Sequence, residues 1–113
     1  MTTVKASGTQ SCTLTTEHTL ATVTNSGNFC VRCNFVNAVD GSTPDRFVVR
    51  AYTKCLTGST EQLEQEQVFE GAQSLKNWCS DPLPSPFSVK YTLTQSTGAS
   101  GRSVEWSVMQ VDA

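Results

Sequence analysis

Cys30 and Cys33 stand in the run Cys30-Val31-Arg32-Cys33, the spacing with which paired thiols bind zinc or cycle between dithiol and disulfide. A structural zinc wants four nitrogen or sulfur ligands, usually from two turn-like knuckles, and no second Cys-x-x-Cys follows. Redox pairs sit at helix N-termini, where the dipole lowers the thiol pKa. Here Phe29, Val31, Cys33 and Phe35 alternate with Cys30, Arg32 and Asn34, so the pair lies in a strand that sends its two thiols to opposite faces. No metal or cofactor is expected, and the purified protein should hold no stoichiometric zinc.

His18 is the single histidine, so any nucleophile of the Ser-His or Cys-His kind would depend on it as general base. Its neighbours Thr16, Glu17 and Thr19 make a polar strand start, and no Gly-x-Ser-x-Gly elbow accompanies it. Glu61, Glu64, Glu66 and Glu70 could supply paired carboxylates or a cation site, yet a solvated strand face explains them as well. Asp-rich calcium loops and Gly-x-x-x-x-Gly-Lys phosphate loops are absent. No catalytic residue is assigned, and the chemistry reads as binding.

The elements that must carry these residues are strands. Phe87, Val89, Tyr91 and Leu93 alternate with Ser88, Lys90, Thr92 and Thr94; Val104, Trp106 and Val108 alternate with Glu105 and Ser107. The small residues Ser96 to Gly101 between them predict one antiparallel hairpin. Further strands are expected at Phe29–Phe35 and Phe47–Cys55, with weaker ones at Ser11–Thr15 and Thr19–Thr24. For Glu61 to Leu75 a capping-box pattern at Ser59 to Gln62 argues for a helix. The apolar positions Leu63, Val68, Phe69, Ala72 and Leu75 form no continuous helical stripe, which favours a strand over about residues 62–70. Asp81-Pro82-Leu83-Pro84-Ser85-Pro86 reads as an extended connector, because three of its positions cannot donate a backbone hydrogen bond.

Ser and Thr fill 29 of 113 positions and charged residues only 16%, a balance that favours β-structure over helices laced with ion pairs. Turn signals recur every ~8–12 residues, the rhythm of an antiparallel β-sandwich or barrel. The expected fold is all-β, an antiparallel sandwich of about seven or eight strands, with residues 11–113 as one domain and residues 1–10 as a polar arm, mobile or ordered by a partner. A net charge of −2 with basic residues scattered from Lys5 to Arg102 argues against nucleic acid as a partner. No apolar run approaches a bilayer span, and the polar start MTTVKASGTQ is unlike a signal peptide. A soluble protein retained or assembled inside the cell that makes it is expected; of the five cysteines at least one is unpaired within the chain, and buried free thiols are the plain reading. Trp106 alternates with core positions and should pack; Trp78, just before the proline connector, could cap the core or meet a partner.

Four segments carry a resemblance: Leu14 to Ala21, Tyr52 to Gly58, Pro84 to Phe87, and, most distinctive, Leu93 to Val108. In order and spacing, over about residues 12 to 110, the chain resembles the capsid decoration, or cement, proteins of tailed bacteriophages. Cys30 and Cys33, where aliphatic strand residues are usual, and the polar Glu61–Gln67 stretch depart from that pattern. The resemblance implies a β-sandwich or jelly roll on the capsid exterior of the virion, made in the host cytoplasm and clamping neighbouring major capsid protein subunits. Capsid symmetry favours a homotrimer, though a dimer or monomer fits the sequence equally well. The resemblance supplies no interface residues; surface position alone suggests Thr2, Thr3, Val4, Lys5, Trp78, Leu83, Pro84 and Arg102. Two other readings remain: a carbohydrate- or receptor-binding tail or fibre module, with Trp78, Phe87 and Tyr52 as an aromatic cluster, and a small enzyme or metalloprotein using Cys30, Cys33 and His18.

Overall fold

A computed structural model describes residues 2–111. Among these, nine strands and no helix form: β1 (Thr2–Ser11), β2 (Glu17–Val23), β3 (Gly27–Asn34), β4 (Arg46–Thr53), β5 (Gln62–Glu70), β6 (Asn77–Cys79), β7 (Leu83–Ser85), β8 (Val89–Thr97) and β9 (Ser103–Val111). They make two antiparallel sheets packed as a sandwich. Sheet A runs β1-β9-β3-β6, with β7 also on β3, and sheet B runs β2-β8-β4-β5.

The pairings β4·β5, β3·β6, β2·β8 and β1·β9 are nested one inside the next. The chain is therefore one long antiparallel ribbon, its tip between β4 and β5, rolled so that successive pairs fall alternately in the two sheets. Rolling adds the contacts β3·β9 and β4·β8, which join the two ends of each sheet.

Period-two alternation decides which side chains enter the space between the sheets. Phe29, Val31 and Cys33 of β3 face Phe47, Val49 and Ala51 of β4 and Val89, Tyr91 and Leu93 of β8, with Val104 and Val108 of β9 completing the core. Full burial of each such large side chain contributes about 1.5–3 kcal/mol. Phe35, just beyond β3, anchors an aromatic chain: its ring lies 5.2 Å from Phe47 and 4.5 Å from Phe69, which in turn meets Trp78 edge-on at 4.9 Å.

Several sequence expectations change. β8 and β9 are not a hairpin: β8 pairs with β2 and β4, and β9 with β1 and β3. Alternation fixes the inward face of a strand but not its neighbour, and here a polar knot turns the connection across the sandwich. Gln95 Nε2 donates to Ser100 O at 2.9 Å, and its Oε1 accepts the Arg102 N–H at 2.7 Å. Asp45, fully buried, accepts from Val39 N and Arg102 Nε, both at 3.0 Å, and from Gln95 Nε2 at 3.2 Å. Gly98 (φ +150°) belongs to the same knot: a Cβ there would strike Asp45 Oδ1.

Residues 2–10, read from sequence as an arm mobile or ordered by a partner, form most of β1, whose backbone ladder with β9 extends from Thr2↔Val111 to Ser11↔Ser103. Met1, Asp112 and Ala113 lie outside the described residues, so the arm's first position and the domain's last two are not placed. Ser11–Thr15 is not a separate strand, because β1 ends at Ser11 and the chain turns through Thr15 with φ at 67°. The proline connector holds the short strand β7, in which Pro84 pairs with Asn28 at the edge of sheet A, a place where its missing N–H costs no ladder bond. Leu83 of that strand turns inward and is 2% exposed, so it packs in the core rather than offering a partner surface. The strand expected over 62–70 is β5, and the sandwich has nine strands rather than seven or eight.

Candidate functional site

The residues with chemical potential are dispersed and committed. Cys30 and Cys33 lie on opposite faces of β3, both buried as free thiols. Burial pushes Cys33 up to about 12 and Cys12 up to about 11; Cys30 rises to about 11, by burial first and then by the adjacent Cys79 thiol. Thiols so strongly protonated are poor nucleophiles and poor metal ligands at neutral pH. His18 Nε2 accepts the Thr13 N–H at 3.0 Å, so the lone pair a general base would need is holding the β1–β2 turn. Among the described residues, no group of three or more His, Cys, Asp or Glu is placed to hold a metal.

The outer face of sheet B gathers a polar network. Glu17 Oε2 accepts hydroxyl hydrogen bonds from Thr92 and Tyr52, each at 2.6 Å, with the Arg50 guanidinium at 3.8 Å. Those hydrogen bonds and the nearby cation hold its carboxyl below the usual carboxylate range. Arg50 pairs with Glu66 at 2.6 Å, and Lys90 pairs with Glu61 at 3.3 Å while lying over the Tyr52 ring. Glu66 of β5 and Glu61 just before it thus stitch strands together. Glu66 shares its face with Glu70, opposite Arg50 and Arg46, while a shift in strand register sets Glu64 between Leu63 and Gln65.

The residues expected at an interface divide between the two ends of sheet A. Arg102 is tied to Asp45 at the far end, and Trp78 is half-buried against Phe69. Thr2, Thr3, Val4, Lys5 and Pro84 are exposed and collect at the other end, because register puts Phe29 opposite both Gln110 and Leu83, and Gln110 opposite Thr3. There Val4, Met109 and Cys30 form one cross-strand row on the outer face, with Val4 59% exposed. Sequence reading missed Met109 and Cys30 because they occupy the outward positions of their strands, where alternation predicts polar residues. β1 is an edge strand with one free side, and its register shifts at Lys5, which bends and charges that edge.

The aromatic cluster of a glycan-binding module does not form as expected: Tyr52 is on the outer face of sheet B, whereas Trp78 faces the space between the sheets. Comparison with protein-family models, curated proteins and solved structures returns no match.

Proposed function

We propose that this chain is a decoration protein of a tailed-phage capsid, a structural domain that binds the outer surface of the major capsid protein lattice and stabilises the shell. The observation that carries the reading is the end of sheet A, where the free edge of β1 adjoins the Val4–Met109 row and Pro84. A strand edge offers unpaired backbone donors and acceptors, and an adjacent apolar row offers area to bury, which together suit docking onto an extended surface. Many identical copies on a lattice multiply a modest contact, and interface that crosses subunit boundaries raises the barrier to bursting.

The nested ribbon supports the jelly-roll form of this reading, since strand orders β1-β9-β3-β6 and β2-β8-β4-β5 arise when such a ribbon rolls into two facing sheets. The resemblance of Leu14–Ala21, Tyr52–Gly58, Pro84–Phe87 and Leu93–Val108 to decoration proteins points the same way. A homotrimer at symmetric lattice positions is part of the proposal.

Co-sedimentation with undecorated shells of the same virus tests it. Saturable binding that weakens when Val4 and Met109 are both replaced by Asp supports the reading. Absence of binding at micromolar protein rejects it.

A further inference from the structure

On one side of the sandwich β5 edges sheet B, while β6 and β7 together edge sheet A on β3. A cleft of about 310 Å³ opens between β5 and the break that Ser80 and Asp81 make between β6 and β7. Val31, Val49 and Tyr91, none more than 3% exposed, close its inner end. Trp78 lines it as a half-buried wall, and Glu64 and Asp81 stand exposed at the rim.

Two observations point to a ligand. The Tyr91 hydroxyl is buried at the inner end and makes no hydrogen bond of good geometry; the Ser80 hydroxyl near it accepts the Val31 N–H. A buried unpaired hydroxyl is costly and is usually satisfied by something. The cleft is also acidic beyond its internal pairing. Arg50 is its single cation and is engaged by Glu66 at 2.6 Å, while Asp81 takes part in no ion pair among the described residues.

We propose that this cleft takes the guanidinium of an arginine side chain presented by a protein partner. Guanidinium is planar, weakly hydrated and stacks on indole, which suits the Trp78 wall. Its five donors match the Tyr91 hydroxyl oxygen, the amide oxygen of Gln65 on the cleft wall and the rim carboxylates. A lysine ammonium is more strongly hydrated and cannot stack in this way. The inference stands apart from the capsid reading, because the recognition chemistry is the same whichever protein presents the arginine.

The test is a titration of isotope-labelled protein with N-acetyl-arginine methylamide, following the indole N–H of Trp78, with Trp106 as the internal reference. The neutral isostere N-acetyl-citrulline methylamide is run in parallel. The expected result is a saturable shift at Trp78, none at Trp106, and citrulline weaker by about tenfold or more. Glu64→Gln and Asp81→Asn, both surface changes, should each weaken arginine several-fold and leave citrulline unaffected. Tyr91→Phe should weaken both. An unmoved Trp78, an equal response to citrulline, or indifference to both rim substitutions overturns the proposal.

Discussion

Arg102, where the chain passes from sheet B to sheet A, holds its Nε 3.0 Å from Oδ2 of Asp45, a fully buried carboxylate where the chain passes from sheet A to sheet B. This ion pair, with Gln95 beside it, ties the loop before β4 to the connection between β8 and β9. Asp45→Ala removes the acceptor of three hydrogen bonds and leaves the guanidinium without its partner. Chemical denaturation should show a loss of about 3 kcal/mol, toward the low end for a broken buried pair because the Arg102 side chain keeps 27% exposure. Asp45→Asn, which keeps an acceptor of similar shape, should lose less.

The aromatic chain through Phe35 gives a second prediction. Phe35 is 1% exposed and touches both Phe47 and Phe69. Phe35→Ala should cost about 3–5 kcal/mol in equilibrium unfolding, whereas Phe35→Leu, which refills most of the volume, should cost clearly less.

Acid stability should register Glu17. Its folded pKa is depressed, chiefly by the Thr92 and Tyr52 hydrogen bonds, so it favours the folded state above its unfolded value near ~4.3 and loses that contribution as pH falls through the folded value. Glu17→Gln cannot ionise. The stability gap between the two proteins, measured by thermal melts, should therefore be open above about pH 5 and close steadily in more acidic buffer.

Thiol labelling should divide the five cysteines. Cys55 and Cys79 are exposed, while Cys12, Cys30 and Cys33 are buried and held protonated. At pH 8 a disulfide reagent should modify two thiols promptly and the remaining three only on unfolding. Prompt modification of Cys33 would show that the core around β3 is open.

The sequence revealed what its periodicity encodes. The inward faces of β3, β4, β8 and β9 follow from side chains recurring every second residue, and β5 in place of a helix follows from the lack of a continuous helical stripe. Partnership was not legible, because Val104 and Leu93 have the same inward signature whether their strands are neighbours or face one another across the core. β1 was not legible as a strand for a related reason: its side chains are largely exposed on both faces, so no alternation marks it, and only its backbone ladder with β9 makes it a strand. The candidate interface was half visible. Thr2 to Lys5 and Pro84 read as surface, but the Val4–Met109–Cys30 row exists only once register aligns three strands. In the most distinctive segment of the resemblance, Gln95, Ser100 and Arg102 build the knot around Asp45, so part of that signature serves the fold rather than a contact.

Electron cryomicroscopy of undecorated shells incubated with this protein decides whether it decorates a capsid. Added sandwich-shaped density is expected on the outer surface at symmetric positions, with β1 and the Val4–Met109 row turned toward the capsid subunits. Shells whose outer surface is unchanged at saturating protein, or density that presents the opposite end of sheet A to the lattice, would contradict the proposal.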